Sequence, residues 1–346
     1  MPKLRVQIFM NRPTVISAFA GCGGSSLGYK MAGFKELLAI EWEENAVETF
    51  KANFPEVPIW KSDICQVKAN EVMDFCNIKK GELDILDGSP PCQGFSTAGR
   101  RKVNDVRNDL FKPFLNMINE IQPKVFIMEN VSGQVKGKMK GKFIEIIQSL
   151  KFINYRVKSK LMNSVNYNVP QSRQRMIYIG VRNDLDLEPI FPEKNNKKVS
   201  FKESMVGINN SGEEIVFPDP KQIVFKKYKL AEIIKMIAPG RTATDILGYG
   251  KGFGLRRINP NRPSHAIIKF FSRRMTAGTL HPYEDRFLTI MELKRIFSFP
   301  DNFIFIGSFE ERWARLGNCV PPLFIKAIAE TIKDKILSSI PDEILN

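Results

Sequence analysis

GSPPCQGFSTAGRR, from Gly88 to Arg101, sets a cysteine directly behind a Pro-Pro pair at the end of the apolar run LDILD. Two adjacent prolines restrict the backbone and fix how Cys92 leaves the strand. A cysteine in that place is either a small apolar filler or a nucleophile on a stiff perch. As a nucleophile it must act as thiolate, so nearby backbone donors or arginines would have to lower its pKa. Glu129 and Asn130, at the end of KVFIMENV, offer a carboxyl and an amide. Arg173 and Arg175, in QSRQR, alternate and so share one face of a strand, as two residues pointing into one cleft should. Their bland reading is surface charge.

A second group lies upstream. FAGCGG, with Gly21, Gly23 and Gly24, follows the apolar stretch Thr14 to Ala20 and reads as a glycine turn that lets a ligand approach backbone. It does not fit GxxxxGK[ST], and by itself it is equally an ordinary strand-to-helix turn. Glu41 closes the next strand about twenty residues on, where a carboxylate can accept from two ribose hydroxyls. Asp63, near the end of the third strand, could accept from an adenine amino group, and Phe19 and Trp42 could flank the purine. Taken singly, Glu41 is a helix N-terminal acid, Asp63 a cap and Trp42 core. Three successive strand ends carrying such residues form a stronger pattern than any one of them.

The elements that must position these groups show as alternation. Strands are predicted at Thr14–Ala20, Glu36–Glu41, Ile59–Ile64, Leu83–Gly88, Lys124–Val131 and Gln174–Arg182. Helical spacing separates them in EENAVETFKANF, DLFKPFLNMINEI and KFIEIIQSLK. Such alternation predicts an α/β fold, a doubly wound, mostly parallel sheet covered on both faces. Ligands of such sheets sit beyond the carboxyl ends of the strands, where all the unusual residues fall. After Asn183 the alternation is lost. The expected organisation is a catalytic domain over residues 1–184, a second, irregular, basic domain over 185–305, and a return over 306–346. The amphipathic stretch PPLFIKAIAETIKDKIL is long enough to pack back onto the first sheet.

The bulk composition narrows the partners. With 346 residues and 43% hydrophobic content the chain can bury a large core. No apolar run is long enough to span a bilayer, and no secretory signal is read at the N-terminus, so the expected place is the cytoplasm, with no membrane partner. The five cysteines are odd in number and lack CxxC spacing, which argues against a disulfide framework and a structural zinc site; no metal is expected. A formal charge of +15 suggests an anionic partner, nucleic acid first and an acidic membrane surface second, or else a generally lysine-rich surface.

FAGCGGSSLG, IEWEENA, SDI, GSPPCQGFSTAGRR, MENV, QSRQRMIYIG and LGNCVPP occur in this order. Together they resemble the cytosine carbon-5 DNA methyltransferase family, from Thr14 to about Phe324 apart from the segment after residue 185. HPYEDRFLTIMELKRIFSFPDNF is similar to the family's stretch after its recognition region. The resemblance implies a Rossmann-like fold dependent on S-adenosyl-L-methionine, which leaves as S-adenosyl-L-homocysteine. It implies that 185–305 is a small, irregular, β-containing target-recognition domain. The partner implied is double-stranded DNA, in a restriction-modification or orphan system, with room for a cognate restriction endonuclease acting separately. A nucleoid-associated monomer is expected, because each site is complete within one chain.

The chemistry fits these residues. Carbon 5 of cytosine is a poor nucleophile until a thiolate, here from Cys92, adds to carbon 6 and gives it enamine character. Ring nitrogen 3 then gathers negative charge and needs a donor, for which Glu129 is the candidate; burial should raise its pKa. Arg175 could contact the base carbonyl oxygen and Glu129, and Arg173 the loop or the phosphates. The cofactor set is Phe19, Ala20, Gly21, Gly23, Gly24, Glu41, Trp42, Asp63, Ile64 and Pro90. To it the resemblance adds Asn318, positioning the active-site loops, and Val320, lining the pocket. The base must leave the duplex, and the basic loop after Cys92 is expected to close over it. Gln93, Ser96, Arg100, Arg101 and Arg107 are the expected DNA contacts there, with Arg256, Arg257, Arg273 and Arg274 in the second domain. Two departures stand out: Ile296-Phe297 where the family usually has Leu-Gln, and Ala314-Arg315 where an aromatic or basic residue and a glutamine are common. Rival readings are a transfer-RNA cytosine methyltransferase of the same fold, a DNA-binding protein that has lost catalysis, and an amino-group methyltransferase, which needs no cysteine.

Overall fold

The apolar run after Pro13 folds as β1 (Thr14–Ala18), and the glycine turn leads into α1 (Gly24–Met31). The computed structural model describes residues 12–91, 110–131, 140–151, 153–219, 223–225, 228–247, 254–271 and 278–341. Alternation continues with β2 (Lys35–Glu41), α2 (Glu44–Asn53), β3 (Ile59–Lys61), α3 (Ala69–Cys76) and β4 (Ile85–Gly88). Next come α4 (Phe111–Ile121), β5 (Val125–Val131), α5 (Lys140–Lys151), β6 (Tyr155–Asn163), β7 (Gln171–Ser172) and β8 (Gln174–Arg182).

Seven of these strands form one sheet in the order β3-β2-β1-β4-β5-β8-β6. β1 to β5 run parallel, and β8 lies antiparallel to both β5 and β6. The order reverses between β1 and β4, which opens a crevice at the carboxyl ends of those two strands. The central strands are continuous apolar runs because both of their faces are covered. Val15, Ile85, Ile127 and Ile177 pack on one face, and Ile16, Leu86 and Phe126 on the other, as a side-chain period of two requires. That period carries Ser17, Asp87 and Glu129 onto the first face, each two residues beyond an apolar member.

Two elements escape a sequence reading based on apolar runs. α3 is short, and β6 is an edge strand whose middle residues, Lys158 to Leu161, are exposed. Lysines on an edge discourage pairing with other chains and also hide the strand's pattern. The direction of β8 follows from β6: a short return, rather than a helical crossover, makes the pair antiparallel. The third predicted strand also stops sooner, at Lys61, and Ile64–Gln66 forms a 3-10 turn instead.

Beyond β8 the elements are short: α6 (Phe201–Ser204), β9 (Ile223–Phe225), β10 (Tyr228–Lys229), α7 (Leu230–Met236) and α8 (Ala243–Leu247). β11 (Leu255–Arg257), β12 (Ser264–His265) and β13 (Gly278–Leu280) follow. β11 pairs with β13, and β12 pairs with β7, so this region is stitched to the strand that leads into β8. The chain then forms α9 (Ile290–Ile296), α10 (Phe309–Asn318) and α11 (Pro322–Lys335). One apolar cluster joins Leu230, Leu255, Phe287 and Trp313 to Phe50 and Phe54 of α2. α11 returns to the sheet against α1, so closely that a Cβ on Gly28 would lie 2.7 Å from the Pro322 carbonyl oxygen. Among the described residues no helix is long and apolar enough to cross a membrane.

Candidate active site

β1 ends where Phe19 takes φ 58°, a left-handed conformation that a bulky residue adopts only under constraint. The chain turns there: Ala20 donates to the Ile40 carbonyl, and Gly23 donates to the Ala20 carbonyl. Gly23 has φ 89°, and a Cβ on it would meet Phe54 at 2.4 Å. A Cβ on Gly24 would lie 2.4 Å from the Val320 carbonyl oxygen, which brings the first glycine turn and the segment before α11 together. At Gly21, by contrast, nothing lies within 4 Å of an added Cβ, so the turn opens onto free space.

Glu41 sits under that opening at the end of β2. Its Oε2 accepts from the Gly21 N–H at 2.8 Å, and its Oε1 accepts from the Trp42 and Glu43 N–H groups at 2.9 Å each. Burial pushes this carboxyl above its usual range, while the three backbone bonds pull it back. Trp42 is not core: its side chain is 69% exposed beside the opening. Asp63 follows β3, is exposed, and caps the 3-10 turn by accepting from the Cys65 N–H at 2.9 Å; Ile64 beside it is buried. The cap occupies one carboxylate oxygen.

Across the switch point, β4 ends at Gly88 and leads into Pro90 and Pro91. Cys92, Gln93, Ser96, Arg100, Arg101 and Arg107 lie outside the described residues, as do Arg273 and Arg274. The start of the cysteine loop is tied to β5, since Asn130 Nδ2 donates to the Pro90 carbonyl at 3.3 Å. Glu129 is buried, and Arg175 Nε stands 2.6 Å from its Oε1. The contact is a close ion pair without an aligned hydrogen bond, as no N–H points directly at that oxygen. Antiparallel pairing makes the encounter, because Val131 lies opposite Arg175 and Glu129 opposite Ile177.

Arg173 does not face the cleft with Arg175. It precedes β8, is 3% exposed, and donates through Nη1 to the Ile267 carbonyl (3.0 Å) and through Nη2 to the Gly317 carbonyl (2.8 Å). Its guanidinium lies over the Phe297 ring, the residue noted above as a departure. Burial, and then Arg175, push its pKa down to about 9. The expected phosphate contact is therefore corrected: Arg173 is enclosed, and it ties β8 to two later segments. Arg257 is corrected likewise. It is 4% exposed and donates to the carbonyls of Ile234, Ile237, His281 and Glu284 and to the Asp285 carboxylate. A guanidinium so enclosed cannot reach DNA, whereas its neighbour Arg256 is exposed. Asn318 is exposed at the end of α10, and Val320 is buried two residues on.

Sequence reasoning missed Asp87, although a carboxyl inside the buried strand ILDG is a visible signal. It lies on the same sheet face as Ser17 and Glu129, and Tyr29 approaches it without completing an aligned hydrogen bond. Burial pushes its pKa up to about 7, with Glu36 and Glu129 adding like charge against the pull of Tyr29 and Ser25. A carboxyl raised in the folded state stabilises the fold below its unfolded pKa, and that stability is lost as pH rises through about 7. Asp87→Asn should therefore lie nearest the wild type in urea unfolding near pH 4 and exceed it increasingly as pH rises to 8, by roughly 1–4 kcal/mol. Equal midpoints at pH 8 would contradict this.

A family model described as C-5 cytosine-specific DNA methylase matches residues 13–334. Type II methyltransferase M1.HphI of Haemophilus parahaemolyticus is 31% identical over 330 residues, covering 92% of this chain and 86% of that protein. Type II methyltransferase M.Sau96I of Staphylococcus aureus is 33% identical over 335 residues, covering 92% and 75%. A solved prophage-encoded protein of Escherichia coli shares the fold with TM-score 0.70 at 24% identity, over 93% of this chain and 99% of that one.

Proposed function

The chain belongs to the C-5 cytosine-specific DNA methylase family, and from that premise we propose how its residues methylate carbon 5 of cytosine in DNA. Cys92 adds as thiolate to carbon 6 of an extruded cytosine. The addition breaks aromaticity, loads negative charge onto ring nitrogen 3 and makes carbon 5 nucleophilic. Glu129 is the partner of nitrogen 3 and shares a proton with it as that charge develops, while Arg175 holds Glu129 and reaches the base carbonyl oxygen. Once carbon 5 carries the methyl group, its proton passes to a water molecule, the proton at nitrogen 3 returns to Glu129 and Cys92 leaves as thiolate by elimination. The observation that carries this reading is the Glu129–Arg175 pair at 2.6 Å, beside an Asn130 bonded to the start of the cysteine loop.

The cofactor of this reading is S-adenosylmethionine, and the residues at the switch point fit it. Gly21 opens onto free space, Glu41 beneath it keeps one acceptor site on Oε2 for a ribose hydroxyl, and exposed Trp42 offers a stacking face for the purine. Asp63 has one carboxylate oxygen left for the adenine amino group. Bound there, the cofactor supplies an electrophilic methyl on a sulfonium.

Residues 185–305 serve as the target-recognition domain in this reading. Arg256 and the exposed stretch Ile268–Phe270, held by Arg173 at Ile267, are its described candidates for duplex contact. The substrate is double-stranded DNA, the enzyme works as a single chain in the cytoplasm, and a separate nuclease is the natural counterpart. The test is an oligonucleotide with 5-fluoro-deoxycytidine at a verified target, incubated with S-adenosylmethionine. Fluorine cannot leave as a proton does, so wild-type enzyme should be trapped as a covalent adduct and Cys92→Ser should not. Absence of an adduct with active wild-type enzyme would overturn the mechanism.

A further inference from the structure

Arg315, on the last turn of α10, is buried, yet its guanidinium forms an ion pair with Glu43 of the turn after β2, 272 residues away in sequence. Glu43 occupies a particular place. Its backbone N–H is one of the three donors to Glu41, and it is the N-terminal cap position of α2. The main chain of Arg315 reaches the other turn of the same cleft, where its carbonyl accepts from the Cys22 thiol between Gly21 and Gly23 (3.9 Å). One residue thus touches both strand-end turns that frame the opening at Gly21.

The segment bearing Arg315 is itself anchored. Asn45 and Asn53 of α2 donate to the carbonyls of Ile306 and Ile304, and the Ile304 N–H donates back to Asn53 Oδ1. Two residues beyond Arg315, the Gly317 carbonyl receives Arg173, which immediately precedes the strand that carries Arg175 to Glu129. The end of α10 therefore lies between the proposed cofactor turns and the proposed base site. A neutral side chain at this place could not form the ion pair.

We propose that Arg315 is a positioning residue for the nucleotide end of the cofactor: paired with Glu43, it holds the Glu41–Trp42–Glu43 turn in the shape that presents Glu41 to the ribose. The inference rests on the reading that this turn receives S-adenosylmethionine. The pair is partly screened on the Glu43 side, so the effect is one of affinity rather than of folding.

The experiment measures S-adenosylhomocysteine binding by calorimetry and methylation of duplex DNA by steady-state kinetics, for the full chain. Arg315→Gln and Glu43→Gln should each raise the Kd for S-adenosylhomocysteine and the KM for S-adenosylmethionine on the order of tenfold. The KM for DNA should stay unchanged, and kcat at saturating cofactor should stay within about twofold. Arg315→Lys should recover most of the affinity, and the exchange Arg315→Glu with Glu43→Arg should bind more tightly than Arg315→Glu alone. Should Arg315→Gln fold poorly, Glu43→Gln, on the more exposed partner, carries the test. Unchanged cofactor affinity in Glu43→Gln, or a fall in kcat and Tm with no movement in KM, overturns the inference. Glu41→Gln separates the two levels: if it too leaves S-adenosylhomocysteine binding untouched, the cofactor assignment itself has failed.

Discussion

Glu129→Gln should lower kcat by about 10²–10⁴-fold while leaving DNA affinity within a few fold. Glutamine keeps the shape of the side chain and can still donate a hydrogen bond, so the base can enter and be held. What it lacks is an acidic proton to share with ring nitrogen 3 as charge develops after thiolate addition. The loss therefore falls on the transition state rather than on binding. Single-turnover methylation at saturating DNA and cofactor is the measurement. A rate within threefold of wild type would remove Glu129 from the mechanism. Slow trapping by 5-fluoro-deoxycytidine in the variant, with Cys92 intact, would place the defect in the addition step.

The second large effect separates two adjacent arginines that look alike in RRINPNRP. Arg257→Met should destabilise the protein by roughly 3–5 kcal/mol, since it strips donors from four backbone carbonyls enclosed in the fold. The Asp285 contact adds little, because that carboxylate is half exposed. Urea unfolding should register the loss, and the salt dependence of DNA binding by the remaining folded protein should match wild type. Arg256→Ala should behave in the opposite way. Its unfolding midpoint should not move, while DNA affinity falls and the slope of log K against log salt shrinks by about 1. If Arg257→Met were as stable as wild type and Arg256→Ala left the salt slope intact, the division between staple and DNA contact would be wrong.

The amino-acid sequence by itself determined the layered α/β architecture. Strands buried on both faces must be apolar runs, and the helices between them must repeat at helical spacing, so both patterns are local and visible. It determined the family as well, because PPCQGFS, ENV and QSRQR are contiguous strings whose order along the chain suffices. It also placed Glu41, Asp63 and Glu129 at strand ends, since a strand end is a local event.

Tertiary structure alone decided what depends on partners far away. Arg173 and Arg257 have the same side chain as Arg175 and Arg256. Only the carbonyls of Ile267 and Gly317 around the first, and of four distant residues around the second, turn them from cleft or surface groups into internal ties. The antiparallel course of β8 was hidden because β6 is a polar edge strand without an apolar run. Asp87 rose to about 7 because α1 covers that face of the sheet. Arg315 met Glu43 because the chain, after its irregular excursion, folds α10 back onto α2. Period and composition report what a residue faces locally; the charge it pairs with, and the water it loses, are set by the packing of segments hundreds of residues apart.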